Sequence, residues 1–509
     1  LLILQRGIFM SKRIFSLALT LCLLFTAVCG RIGYIIFSNN YAASTSYNHY
    51  SLSIGKKAPT VYYRNGDKAT DNKLRYVAVI RPNPKCISEL SKLFSQKRVN
   101  EITEELRKGY PILVPLEDKP KFRLNYINVY SSFCSSNNLG QLCAKESNGI
   151  LSYIGDDIGE KNIIFSIDAQ GRLLDGDEGT IENKNYDSPE GYRISIDEDI
   201  QNVVLNAACD LTSGCVIVMD IKDSSILALV NKPDETYLIK PFSQYAVGSV
   251  FKLVVAACAI ENNVDVEYTC NGSIKIADSV FSCQNKRAHK TQNLKAALAN
   301  SCNCYFVNLA QTLGKDALYK TVSDLGFDDE TELFDKWIID NSTLPSLDDL
   351  ESKGELSLFG FGQGKLSVTP FQMCSFLCTV GNMGFKNEPR LFLDNINNAD
   401  EKTAVKYPDG ESVLSFDTCK TLLEYMNYVV TDGTGKNALS SDKKSAGKTA
   451  TAQTGQFFMK NEYLNTWFAG VYPYDNPKYA VVVMKEHGKS GSQDCCPIFR
   501  TIVEKLMNM

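Results

Sequence analysis

Histidine is nearly missing from this sequence. Its three residues, His49, His289 and His487, stand far apart, and none has the spacing of a histidine-rich metal site. Excess positive charge is also missing. Lysine and arginine total 54 against 58 acidic residues, a formal net charge of −4, which excludes a nucleic-acid binder acting through overall basicity. The 33 glycines and 16 prolines are too few for a fibrous or linker-dominated chain, and no repeat or low-complexity tract is present. Seventeen cysteines in 509 residues are too sparse for a disulfide scaffold. What is present, 44% hydrophobic and 22% charged residues, is an ordinary globular composition that excludes wholesale disorder. At about 150 residues per domain, the length allows two or three domains.

One long apolar run stands out. Ile14 to Gly30 carries no charge, and as a helix it would span about 26 Å, slightly short of the hydrocarbon core of a bilayer. Arg31 can snorkel, and Ile32 to Phe37 extends the run. Arg6, Lys12 and Arg13 precede it, and after Arg31 the next positive charge is Lys56. The positive-inside bias therefore predicts a cytoplasmic stub over 1–13, a single-pass anchor over 14–37 and the remainder outside. A cleaved signal peptide fits less well, because no small-x-small site follows the run. A lipoprotein signal ending at Cys29 has Val28 where a small residue is expected.

Two cysteine pairs, Cys270 with Cys283 and Cys134 with Cys143, are close enough in sequence to be bridges in an oxidising compartment; free buried thiols are the equal alternative. Cys495-Cys496 and Cys302-x-Cys304 lack partners at zinc-site spacing and read as packing residues, so no metal is expected.

Residues 38–185 are polar and irregular, with short helical patches such as Ile87–Arg107, and the acidic, turn-rich stretch Gly176–Glu190 marks a boundary. From residue 186 the pattern changes. A strand-like GYRISID is followed by an amphipathic helix with an acidic first turn, then by the strands CVIVMDI and SILALVN. The far end mirrors this with TWFAGVY, YAVVVMKE and a closing helix whose Ile498, Phe499, Ile502, Val503 and Leu506 share a face. Residues 250–430 read as mostly helical. An α/β domain follows: an antiparallel sheet built from both ends of the segment, with a helical insert between.

Three short motifs carry chemistry. Ser249-Val-Phe-Lys252 opens an apolar helix after Gly248. Ser and Lys three apart share a helical face, and a buried lysine with a lowered pKa can take the serine proton. The plain alternative for Ser249 is a helix N-cap. Ser301-Cys302-Asn303 interrupts an apolar helical segment; a helix break or local cap is its structural reading. Ser445 to Gly455 is a run of small and hydroxyl residues around Lys448, suited to a carboxylate, or otherwise an ordinary Ser/Thr-rich edge strand. Ser-x-x-Lys recurs at Ser53, Ser440, Ser441 and Ser445, and Ser-x-Asn at Ser38, Ser46, Ser135 and Ser136, so neither is specific alone.

In order and at separations of 52 and 147 residues, the set resembles that of the penicillin-binding transpeptidases, Ser-x-x-Lys, Ser-x-Asn and Lys-Thr-Gly. Gly362-Gln-Gly364, Thr369-Pro370-Phe-Gln-Met373, Trp467-Phe468-x-Gly470 and Pro497-Ile-Phe499 are also similar to the family. The resemblance covers about 190–509 and reaches more weakly to Tyr63-Arg64-Asn65-Gly66, like the start of a class B (monofunctional) pedestal. No glycosyltransferase-sized region precedes the transpeptidase-like part, which also favours class B.

The resemblance implies the penicillin-recognising serine transpeptidase fold over 186–509, behind an irregular α+β pedestal over 38–185. It implies Ser249 as acylated nucleophile, Lys252 as its base, Ser301 as proton relay and Asn303 as holder of the substrate amide. Lys448, Thr449 and Thr451 would bind the terminal carboxylate of a D-alanyl-D-alanine stem peptide, and the N–H groups of Ser249 and Thr451 would form the oxyanion hole. Expected partners are peptidoglycan stem peptides, β-lactams, a membrane glycosyltransferase and a cell-wall synthesis complex, with no cofactor and no nucleic acid. Two departures are visible. The pedestal start reads Ala58-Pro59-Thr-Val-Tyr-Tyr63-Arg64-Asn-Gly, where the family usually has an Arg-Gly and an Asp. Ala450 stands where the family has glycine, and its methyl, on the same strand face as Lys448, would narrow a site lined by that face. Ala450 motivates a competing reading as a catalytically impaired scaffold; a penicillin-hydrolysing or sensing relative is the other.

Overall fold

The computed structural model describes residues 2–37, 48–70, 73–134, 139–140, 149–155, 157–168, 172–174, 176–233, 239–334, 337–339, 341–459 and 461–509. Cys143 lies outside them, and with it the Cys134–Cys143 pairing. The chain forms two compact units, one of 1–56, 74–132 and 159–186, the other of 57–73, 133–158 and 187–509.

The first unit begins with helix α1 (Leu2–Phe37). Its stretch Ile14–Tyr34 is long and apolar enough to cross a membrane, and none of it is buried by protein. Beyond it, the expected irregular region is richer in strands than its polarity suggested, with two three-stranded sheets. The strand Lys73–Ile80 shows why they form: Val77 and Val79 pack with Ile54, Ile163 and Phe165, whereas Ala78 and Ile80 pack with Leu90, Val99 and Ile102. Both faces of this strand are buried, so period-two alternation of apolar with polar residues never appears. The helix Gln96–Leu106 covers one sheet through Val99, Ile102 and Leu106.

The second unit matches its expected elements closely. Helix α2 (Glu198–Ala207) is capped by the Asp197 carboxylate, which accepts from the N–H groups of Asp199 and Ile200. Strands β1 (Gly214–Asp220) and β2 (Ile226–Lys232) follow as a hairpin. The helical insert contains α3 (Lys252–Glu261), α4 (Leu294–Ala299), α5 (Asn303–Asp324), α6 (Pro370–Gly381) and α7 (Phe416–Thr431). It also holds short two-stranded pairs, among them 268–270 with 290–292, 273–276 with 279–282 and 331–334 with 337–339, which a mostly helical reading did not include. Strands β3 (Ala446–Phe458), β4 (Asn461–Tyr472) and β5 (Tyr479–Lys485) then return to the sheet, and α8 (Cys496–Leu506) closes the chain.

The sheet order is β2-β1-β5-β4-β3, antiparallel throughout, with β3 on the edge. One face, with Val216, Val218, Phe468, Val481 and Val483, packs on α2 and α8 through residues such as Val204, Phe499 and Ile502. The other, with Ile217, Met219, Trp467 and Val482, meets the helical insert. Within that insert α3 is buried from Lys252 to Ala259, which explains its lack of a polar face. A smaller sheet joins 60–62 in parallel to 191–194, followed by 392–396 and 402–404.

Candidate active site

Ser249 lies in a single 3₁₀ turn, Gly248–Val250, immediately before α3. It is not the helix N-cap: Phe251 holds that position, without a side-chain cap. Gly248 has φ +58°, and a Cβ there would lie 3.0 Å from the Ala452 Cβ. Its N–H donates to the Gly362 carbonyl at 3.0 Å. Glycine at 248 thus serves a left-handed turn and a close approach to β3 together. That approach sets the Ser249 turn against the edge strand, with Ser249 partly exposed.

Lys252, one turn further on, is fully buried. Its Nζ donates to Asn303 Oδ1 at 2.7 Å, to the Ser301 carbonyl at 3.0 Å and to Ser301 Oγ at 3.4 Å. It also lies 5.4 Å from the Phe306 ring centroid. Burial pushes its pKa down to about 8, partly opposed by the thiols of Cys302, Cys283 and Cys304.

The Ser301 turn is both helix break and cap. The N–H of Ser301 bonds the Leu298 carbonyl at 3.2 Å and that of Cys302 bonds the Ala297 carbonyl at 2.9 Å, a Schellman ending for α4. Ser301 occupies the left-handed position at φ +53°, where glycine is usual. Cys302 then caps α5, its Sγ accepting from the Tyr305 N–H at 3.4 Å. Asn303 is oriented from both ends, since its Nδ2 donates to the Ser282 carbonyl at 3.0 Å.

Lys448, on β3, is also fully buried. Its Nζ donates to Ser301 Oγ at 3.0 Å and to the Thr449 carbonyl at 2.9 Å. Burial holds its pKa well below the usual lysine value, and Lys252 lowers it further. Two amines therefore converge on one hydroxyl. Such a pair is suited to an incoming anion, because a carboxylate would relieve their repulsion in a low-dielectric site.

The structure brings Lys252, Ser301, Asn303 and Lys448 into one hydrogen-bonded set. Ser249 precedes Lys252 by one turn of chain, on the 3₁₀ turn packed against β3. Thr451 is partly exposed on the same strand, opposite Thr466. Thr449 is buried and shares a hydrogen bond with Thr434, 2.8 Å between hydroxyls. Ala450 is 3% exposed and lies in the core opposite Trp467, so its methyl packs inward.

Sequence reasoning missed Thr434 and quoted Trp467, Thr369 and Gln372 only as similar to the family, without a structural role. Thr434 follows α7 and bears no motif. Trp467 Nε1 donates to the Ala246 carbonyl at 3.0 Å, tying β4 to the approach of the Ser249 turn. Thr369 and Gln372 form a capping box at the start of α6. The largest departure concerns the cysteines. Cys302 does have partners: Cys270, Cys283 and His289 lie around it, and only the fold assembles them.

The sequence profile described as the penicillin binding protein transpeptidase domain matches residues 214–504, more than half of the chain. The chain belongs to this family. The chain is 27% identical over 393 residues to stage V sporulation protein D of Bacillus subtilis, covering 70% of this chain and 59% of the relative. It is 26% identical over 452 residues to the peptidoglycan D,D-transpeptidase MrdA of Haemophilus influenzae, covering 77% and 66%. The chain thus spans about three fifths to two thirds of the length of these relatives. Solved structures share the fold. A peptidoglycan synthetase from Bifidobacterium adolescentis superposes with a TM-score of 0.64 at 16% identity, over 90% of this chain and 96% of that one. Penicillin-binding protein 3 from Mycobacterium tuberculosis gives 0.61 at 20%, over 90% and 97%. The penicillin-binding transpeptidase fold, with its antiparallel sheet and helical insert, is therefore the fold of this family member.

Proposed function

We propose that this chain is a membrane-anchored, class B peptidoglycan D,D-transpeptidase that works through an acyl-enzyme on Ser249. The observation that carries the reading is the hydrogen-bonded set Lys252–Ser301–Asn303–Lys448, with both lysines buried, Ser301 and Asn303 partly exposed, and Lys252 one turn of chain beyond Ser249. With a pKa of about 8, roughly a tenth of Lys252 is the free amine at pH 7. That amine takes the Ser249 proton as Oγ attacks the penultimate carbonyl of a D-alanyl-D-alanine stem. The N–H groups of Ser249 and Thr451 stabilise the oxyanion. Ser301 Oγ accepts from both lysines, which leaves its own proton to donate. It delivers that proton to the departing D-alanine amine as Lys252 passes on the one taken from Ser249; when an acceptor amine resolves the acyl-enzyme, Ser301 takes the amine's proton and the relay runs back through Lys252 to Ser249 Oγ. Lys448 with Thr449 and Thr451 holds the terminal carboxylate, and Asn303 orients the substrate amide.

A β-lactam would acylate the same serine. Helix α1 would anchor the protein with residues 1–13 in the cytoplasm and the catalytic unit outside, where a membrane glycosyltransferase supplies the strands to be cross-linked. The test is the full chain in detergent with a pentapeptide-bearing peptidoglycan precursor. D-Alanine release and peptide dimers are expected, and both should disappear in Ser249→Ala. Absence of both products from folded parent protein would favour the scaffold reading. Single-peptide products with rapid β-lactam turnover would favour the hydrolase.

A further inference from the structure

The thiols behind the Ser301 turn are spaced like ligands. Sγ of Cys270, Cys283 and Cys302 and a ring nitrogen of His289 all lie within 4.8 Å of one another. Cys270 to Cys283 and Cys283 to Cys302 are 3.7 Å apart, as are Cys270 Sγ and His289 Nδ1. A tetrahedral ion with metal–sulfur bonds of about 2.3 Å separates its sulfur ligands by about 3.8 Å, whereas a disulfide brings them to about 2.05 Å. The observed separations match the former.

Three further features favour a bound cation. The three thiols are buried, with His289 at the rim. Two of the sulfurs already accept backbone N–H bonds, Cys270 from Gly272 and Cys302 from Tyr305, each at 3.4 Å. Such bonds stabilise thiolates, and Cys302 also sits at the N-terminal, positive end of α5, whose first helical stretch runs to the break at Gly314. Finally, three of the four ligands come from a segment poor in core of its own. Residues 268–292 form two small hairpins, with Val280 64% exposed. Isolated two-stranded hairpins are marginal in water, so a cross-link there has structural work to do.

We propose that Cys270, Cys283, His289 and Cys302 bind one zinc ion, which fastens the 268–292 hairpins to the Ser301–Asn303 turn and so holds the side chains facing Lys252. Three thiols and a neutral imidazole bind the ion with release of three thiol protons. No electron transfer is involved. Cys304, whose Sγ is 3.5 Å from Cys283, lies outside the four-ligand set. The metal site stands on its own geometry. Its effect on acylation rests on the function proposed above.

The test uses the full chain in detergent, purified under reducing conditions with zinc present and then desalted. One zinc per chain is expected, and replacement by Co(II) should give the visible bands of tetrahedral thiolate ligation. Cys270→Ser and His289→Ala should each lower zinc affinity by at least tenfold, while Cys304→Ser should retain one zinc. Chelation should lower the melting temperature and slow acylation by fluorescent penicillin at least tenfold, with recovery on adding zinc back. Metal-free parent protein that gives no tetrahedral cobalt spectrum would overturn the site, as would a Cys270–Cys283 disulfide in protein kept reduced. Stoichiometric zinc whose removal leaves acylation unchanged would overturn its link to the turn. A cobalt spectrum in protein that never acylates would leave the metal site standing and instead count against the transpeptidase reading.

Discussion

At the scale of single residues, the proposed mechanism depends on one amine being buried enough to lose its proton. Lys252 is faced by Ser301, Asn303 and the thiols of Cys302 and Cys304 on the Ser301 turn and α5, by Cys283 from the hairpins, and by Lys448 from β3. Burial outweighs the thiols and lowers its pKa to about 8. In the proposed mechanism the free amine is the active form, so the acylation rate should rise about tenfold per pH unit below that value and level off above it. A stopped-flow profile with a chromogenic β-lactam checks this; a profile flat from pH 6 to 9 would contradict it. Lys252→Arg keeps the charge but cannot deprotonate, and should slow acylation between about 100- and 10,000-fold. Ala450 is buried on the β3 face that also carries Lys448. Ala450→Gly should therefore alter penicillin acylation without loss of the fold, measured by the same assay; an unchanged rate would count against a methyl that narrows the site.

Among elements, the turns matter more than the long helices. Gly248 meets β3 so closely that Gly248→Ala should cost about 1–2 kcal/mol, read by chemical denaturation, because a methyl would strain the left-handed turn and press on Ala452. A second pin lies upstream of the Ser249 turn. Lys240 pairs with Glu486, next to β5, and donates to Ser213 Oγ at 2.7 Å, just before β1. Burial alone would raise the Glu486 pKa, but hydrogen bonds from Lys240 and Ser213 bring it below the usual value. Its stabilising contribution is therefore present above the ordinary glutamate pKa and lost as pH falls through the lowered one. Glu486→Gln should flatten the acid limb of a melting-temperature profile; an unchanged acid limb would count against the pair. Helices α2 and α8 were legible from periodicity because each has one buried face, and the main strands were legible as short apolar runs because both faces of their sheet are covered. The strand Lys73–Ile80 opens on Lys73 and Arg75, which shortens its apolar run, and was not read. The Ser301 turn was legible as a break in a helix, but its Schellman geometry, with serine in the left-handed position, needed the coordinates.

For the whole molecule, motif order in the sequence carried the family and the fold, because Ser249, Ser301 and Lys448 lie on separate elements that only this fold brings together. The cysteine and histidine cluster was illegible for the same reason. Its members are 13, 6 and 13 residues apart in chain order, which matches no standard ligand spacing, and the short hairpins close the gaps. The apolar helix α1 was read from the absence of charge alone. Removing residues 1–37 should move the protein from the membrane fraction to the soluble fraction on cell fractionation, and retention in the membrane would point to another attachment. The most direct measurement is to label the full chain with a β-lactam, digest it and map the adduct by mass spectrometry. One adduct, on the peptide bearing Ser249 and absent from Ser249→Ala, is the predicted result. An adduct on any other residue, persisting in that variant, would contradict it.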